Sequence, residues 1–226
     1  MGGLFITFEG PDGSGKSTQI GLLSEHLKCR GIPHVVTREP GGTVISDKIR
    51  NILLDPDHGE MVNETEVLLY AASRAQHVHE VILPALRRNC VVLCDRFVDA
   101  SLAYQGYGLG IDAGKVAAIS RFATGGLVPD RSYFFDLSPE EGRRRLANRR
   151  GMDRIEQKAL KYHERVREGF HQLYQNDPER IVLINGEAAR ERIFAEVRND
   201  FEKLWLPFAE GAGVNGDEVN HGGHSR

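Results

Sequence analysis

Gly10-Pro11-Asp12-Gly13-Ser14-Gly15-Lys16-Ser17 fills the pattern G-x-x-x-x-G-K-[ST] without a mismatch. Glycines at that spacing let successive backbone N–H groups turn toward a bound phosphate. Lys16 would reach the β- and γ-phosphates of a nucleoside triphosphate, and the Ser17 hydroxyl would ligate Mg2+. Residues Gly10 to Thr18 are therefore the expected site for ATP, with Mg2+ as the cofactor. The flanks agree. Leu4 to Phe8 leads into the loop as an apolar strand, and Ile20, Leu22, Leu23 and Leu27 follow it with helical spacing. The positive end of that helix would face the same phosphates. A second apolar run, Val91-Val92-Leu93-Cys94, ends on Asp95, which places a carboxylate where the metal ion or its water shell needs one.

A transfer reaction also needs an acceptor site. Arg38 and Arg96 follow different strand-like runs and can converge on a second phosphate, since planar guanidinium forks bind its oxygens bidentately. Tyr70 and Arg74 are four residues apart and share one face of a helix. Between Arg143 and Arg154 lie six arginines against one aspartate. Arg143, Arg144 and Arg145 read as a solvated helix face. Arg149, Arg150 and Arg154 differ because Gly151 interrupts the helix among them. His77 and His79, two apart on a helix, point to different faces and do not form a metal pair.

These residues must be held by alternating elements. Leu4 to Phe8, His34 to Thr37, Val91 to Cys94, Tyr133 to Asp136 and Ile181 to Ile184 read as short buried strands. Helical patterns lie near 16–30, 44–54, 64–87, 112–123, 139–149, 157–175 and 188–205. This order predicts an α/β fold with a parallel sheet covered by helices on both faces. From Pro207 to Arg226 the sequence loses periodicity, and a disordered, functionally silent tail is expected there. A formal net charge of −3 argues against a general nucleic-acid binder. No apolar run approaches the roughly 20 residues of a membrane span. With no basic, apolar leader after Met1, a cytoplasmic address is expected. Cys90 and Cys94, at the ends of one strand-like run, would lie roughly 13 Å apart, too far for a disulfide.

The segments Phe8-Glu9-Gly10, Thr37-Arg38-Glu39-Pro40-Gly41-Gly42-Thr43, Tyr70-Ala71-Ala72-Ser73-Arg74, Asp95-Arg96-Phe97, Ala103-Tyr104-Gln105-Gly106 and Asp153-Arg154-Ile155-Glu156 occur in this order. Together they resemble the thymidylate kinase family over residues 3–206. The resemblance implies a three-layer nucleoside-monophosphate kinase fold and phosphoryl transfer from ATP to dTMP, for dTTP synthesis. It implies that Arg38 and Arg96 hold the dTMP phosphate and that Asp12 contacts the sugar 3′-hydroxyl. Tyr70, where the family usually has Phe, would stack on thymine, and Arg74 would donate to its 4-carbonyl. Tyr104 and Gln105 would line the sugar and base edge. Gly13 leaves the loop without a basic side chain, which resembles the bacterial-type subclass that carries a catalytic arginine in a lid. Here the lid spans about 149–155, and Arg149, Arg150 and Arg154 are its candidates. A homodimer is also implied. The alternatives are a kinase with another base preference, or a non-catalytic nucleotide-binding switch.

Overall fold

The computed structural model describes residues 2–147 and 151–211. Five parallel strands form one sheet: β1 (Phe5–Glu9), β2 (His34–Arg38), β3 (Val91–Asp95), β4 (Arg131–Asp136) and β5 (Ile181–Asn185), in the order β2-β3-β1-β4-β5. Each strand sits within two residues of its expected start. Side chains of β1 alternate between two cores, as the two-residue period of a strand requires. Ile6 and Phe8 pack with Leu23, Leu27, Val197 and Phe201, from helices α1 (Lys16–Cys29) and α9 (Arg190–Gly211). Phe5 points the other way, among Val78, Ile82, Val92 and Phe97. The expected three-layer α/β architecture is present.

The remaining helices are α2 (Val44–Leu54), α3 (Asn63–His77), α4 (Leu83–Arg87), α5 (Val98–Ser101), α6 (Ala113–Thr124), α7 (Pro139–Leu146) and α8 (Leu160–Asn176). A π-helical turn, Val78–Ile82, joins α3 to α4, and a second, Leu102–Gly108, extends α5. The helical segment from 98 to 108 is absent from the sequence-level expectation. Its physical cause lies in close packing. A Cβ at Gly108 would meet Tyr162 and Val166 of α8 at 2.7 Å, so the glycine that spoils the helical signal is what lets α8 approach.

The C-terminal helix also corrects an expectation. It passes through Pro207, where the aperiodic tail was expected to begin, and continues to Gly211. Proline inside a helix costs about 3 kcal/mol. Trp205 is buried there, its ring 6.0 Å from Phe201 and 5.3 Å from Phe208. Burying about 200 Å² of aromatic surface contributes roughly 5 kcal/mol, enough to offset the proline. Residues 212–226 lie outside the described residues. Among the described residues, no helix is long and apolar enough to cross a membrane.

All five strands run the same way, so Glu9, Arg38, Asp95, Asp136 and Asn185 end on one edge of the sheet. In an open parallel sheet, the crevice beyond that edge is where ligands bind. The register sets Arg38 and Phe8 on either side of Asp95.

Candidate active site

The loop after β1 takes left-handed backbone angles at Gly10 (φ 127°), Gly13 (φ 79°) and Gly15 (φ 95°). At Gly10 a side chain is also sterically excluded, since a Cβ would fall 2.5 Å from the Phe135 carbonyl oxygen. No side chain caps the first turn of α1, so its N–H groups are the anion-binding end of the helix. Lys16 is buried and its Nζ donates to the carbonyl oxygens of Gly10 (3.0 Å) and Pro11 (2.8 Å), leaving one of its three hydrogens. Burial, then the nearby Arg96 cation, lowers its pKa. The negative charge of a phosphate would counter both effects. Ser14 is buried within the loop, whereas Ser17 and Thr18 are exposed.

Ser17 Oγ donates to Asp95 Oδ2 at 3.3 Å, so the two residues expected to hold a metal ion meet. Asp95 Oδ1 is buried with no hydrogen-bond partner among the described residues. Beside them, Glu9 is fully buried. Its Oε1 accepts from the Phe97 N–H at 2.8 Å, and desolvation, reinforced by Asp99, raises its pKa well above the usual carboxylate range.

A cavity of about 280 Å³ opens beside the cradle, lined by Asp12 and Ser17 together with Arg38, Tyr70, Arg74, Asp95, Arg96, Tyr104 and Gln105. Every residue expected on the acceptor side therefore lines one space. Arg96 has φ 70°, unusual for a side chain with a Cβ, and its guanidinium lies over the Tyr104 ring at 4.9 Å. Its Nη2 donates to Asp12 Oδ1 at 2.9 Å. Arg38 is half exposed and pairs with Asp47 at 3.1 Å. The Tyr70 hydroxyl is shifted upward by burial, and that of Tyr104 is pushed up to about 12, again mainly by burial. Both rings are neutral phenols at physiological pH. Tyr104 and Gln105 sit in the second π turn, where the Leu109 N–H bonds the Tyr104 carbonyl five residues back. Such widened turns recur at functional sites.

The family model described as thymidylate kinase matches residues 8–197. The chain belongs to the thymidylate kinase family. It is 54% identical over 197 residues to the thymidylate kinase of an Exiguobacterium species, covering 87% of this chain and 93% of that one. Identity to the thymidylate kinase of Oceanobacillus iheyensis is 45% over 228 aligned positions, covering 100% of both. The crystal structure of thymidylate kinase from Ehrlichia chaffeensis matches with a TM-score of 0.74 at 31% identity, over 89% of this chain and 100% of that one.

In this member of the thymidylate kinase family, one lid candidate is held in the protein interior. Arg154 is buried, and its Nη1 pairs with Glu66 at 2.8 Å while Nε donates to the Leu53 carbonyl at 2.8 Å. It lines neither the cradle nor the acceptor cavity. In this arrangement Arg154 braces the interior beneath the lid. The buried Glu66 carboxylate needs a cation, and Arg154 supplies it. Arg149 and Arg150 lie outside the described residues. Sequence reasoning also passed over Glu39 and Arg50, both of which line the cavity. Glu39 stands inside the quoted Thr-Arg-Glu-Pro segment, which was the available signal. Arg50, which donates to the Pro40 carbonyl at 2.9 Å, had none.

Proposed function

We propose that the chain moves the γ-phosphoryl group of ATP onto the 5′-phosphate of dTMP, giving ADP and dTDP. The observation that carries this reading is a pair of arginines beside the cradle: Arg38 and Arg96 line a cavity that reaches it at Asp12 and Ser17, which suits a second phosphate. A switch or scaffold needs one phosphate site. A kinase needs two, facing each other. In this reading the cradle N–H groups and Lys16 hold the triphosphate, and Arg38 and Arg96 neutralise the acceptor dianion so that it can approach in line. The acceptor oxygen is already anionic, so positioning and charge neutralisation supply the catalysis without a general base. Tyr70 stacks on thymine, Arg74 donates to its 4-carbonyl, Asp12 and Gln105 place the sugar and base edge, and the Tyr104 ring crowds a ribose 2′-hydroxyl.

The unpartnered Asp95 Oδ1, with Ser17 Oγ beside its other oxygen, fits a hard cation that takes oxygen ligands. Ser17 and Asp95 would hold Mg2+, which when bound with ATP offsets the charge of the β- and γ-phosphates. For Arg149 and Arg150 the proposal rests on sequence: Gly13 brings no cation to the cradle, and these arginines would complete it from the lid. We place the reaction in the cytoplasm and the chain in a homodimer. Supporting the dimer, Ile45 of α2, Leu68 of α3 and Phe122 of α6 are 51%, 57% and 92% exposed, on helices that pack α2 against α3 and α3 against α6. The test of function is ATP consumption with dTMP, dUMP, dCMP and the purine monophosphates as acceptors. Turnover with dTMP foremost is expected, and use of dCMP as readily as dTMP refutes the assignment.

A further inference from the structure

We infer that Glu39 is the residue that fixes base selectivity, by locking the orientation of Arg74; this rests on the reading of Arg74 as the donor to the base. Arg74 has five N–H groups in a rigid fork. Nε donates to Glu39 Oε2 at 2.7 Å, and Nη2 donates to the Phe97 carbonyl (3.1 Å) and to Ser101 Oγ (2.8 Å). Nη1 makes one long bond to Ser120 Oγ at 3.4 Å, which leaves one N–H of Nη1 without a partner among the described residues. Arg74 borders the acceptor cavity, so that single N–H is what it has to offer a base.

Of the four partners, only Glu39 is charged, and the pair is almost wholly removed from water, with side chains 2% and 3% exposed. A charge-assisted bond in such a place is the strongest single constraint on the fork. Glu39 is itself held. Its Oε1 accepts from His77 Nδ1 at 2.9 Å, and His77 Nε2 hydrogen-bonds Thr37 Oγ1 at 2.7 Å. His77 lies three residues after Arg74 on α3, so both face the loop that follows β2. Glu39 thus ties the loop of Arg38, on the phosphate side, to the helix of Arg74, on the base side.

The consequence is a division of labour in selectivity. With the fork fixed, its remaining N–H meets a carbonyl and opposes an amino group. With the fork free to turn, another polar atom can satisfy it.

The test is a cycle of wild type, Glu39→Gln, Arg74→Ala and the double variant, reading kcat/KM for dTMP and dCMP and the KM of each substrate. Glutamine keeps the shape and one acceptor but removes the charge. Glu39→Gln is expected to lower the dTMP-over-dCMP preference by on the order of tenfold. The KM for dTMP should rise while that for ATP stays put, a split that general loosening would not give. The double variant should match Arg74→Ala, since Glu39 acts through Arg74. If Glu39→Gln does not fold, Glu39→Asp carries the same test, because it keeps the charge and withdraws it by one methylene. A preference retained within twofold by the folded Glu39 variant, but lost in Arg74→Ala, overturns the role of Glu39 and leaves the base reading intact. A preference retained in Arg74→Ala overturns both.

Discussion

Arg96 Nη2 and Asp12 Oδ1 are 2.9 Å apart, which fastens the residue after β3 to the middle of the phosphate cradle. The two come from sequence positions 84 apart and meet only because β3 lies beside β1. Removing Arg96 should therefore damage both acceptor binding and the alignment of the cradle. We expect Arg96→Ala to lower kcat/KM for dTMP by roughly 10²–10³, equivalent to about 3–4 kcal/mol. Backbone strain gives a second reading of the same position. At φ 70° glycine carries no Cβ penalty, so Arg96→Gly should be more stable than Arg96→Ala by about 1 kcal/mol. Chemical denaturation of the two variants checks this, and an alanine variant more stable than the glycine one contradicts it.

Lys16→Ala should abolish transfer while the sheet survives. The loop owes its shape to glycines and to β1, but Lys16 Nζ also ties down the Gly10 and Pro11 carbonyls, so a modest loss of stability is expected too. Circular dichroism should report a folded protein and a coupled ADP assay no turnover. A folded variant with near-normal turnover removes Lys16 from the mechanism.

Glu9 predicts a pH dependence of stability. Its carboxyl is raised by burial, then by Asp99 and Asp95, with Arg96 and the Phe97 N–H opposing. A raised native pKa means the folded state holds a proton that the unfolded chain releases above about pH 4.3. Stability contributed by this group is thus fully present below that pH and falls as pH rises toward the native pKa. Glu9→Gln keeps an acceptor for Phe97 and cannot ionise. Its melting temperature should exceed that of the wild type by a few degrees at neutral pH. The gap should close near pH 4. A gap independent of pH would show that Glu9 does not titrate in this range.

The site residues divide by how far their function depends on remote neighbours. Lys16, Ser17 and Asp95 were legible because short segments carry their chemistry: a glycine loop, a strand and a terminal carboxylate. The five strands were legible for the same reason, as brief apolar runs. Glu39, Glu66 and Arg154 were not legible in this way. Their meaning is a partner 35 or 88 residues away, brought within reach by packing. Gly106 and Gly108 concealed a helical turn, because both weaken the local helical pattern, while the small size of Gly108 is what lets Tyr162 and Val166 of α8 approach. Pro207 concealed another, since a ring buried two residues earlier outweighs it.

The exposed apolar side chains of α2, α3 and α6 predict the assembly. Phe122 is 92% exposed, more than any other large apolar side chain among the described residues. Phe122→Glu should leave the monomer fold unchanged and shift the protein from dimer to monomer in sedimentation equilibrium. A wild type that is monomeric at micromolar concentration removes the dimer from the proposal.

The lid provides the sharpest contrast between bracing and catalysis. Arg154 neutralises Glu66, which is 1% exposed and also accepts from Gln105 Nε2 at 2.9 Å. Cutting one partner from a buried ion pair costs about 3–5 kcal/mol, because the other charge stays buried. Lys158 Nζ, 3.7 Å from the same carboxylate, can recover part of that. Arg154→Ala should therefore lower the melting temperature clearly, and it should raise the KM for dTMP through Gln105. Arg149 and Arg150 make the opposite prediction. An arginine that bridges donor and acceptor phosphates is worth 10³–10⁵ in kcat, or roughly 4–7 kcal/mol of transition-state stabilisation. A solvated arginine contributes under about 1 kcal/mol. Arg150, next to Gly151, is the first choice and Arg149 the second. Replacing the finger with alanine should leave the melting temperature unmoved and reduce kcat at saturating ATP and dTMP by at least about a thousandfold. If Arg149→Ala and Arg150→Ala both keep turnover within a few-fold of wild type, neither is a finger, and these two arginines revert to solvated charges.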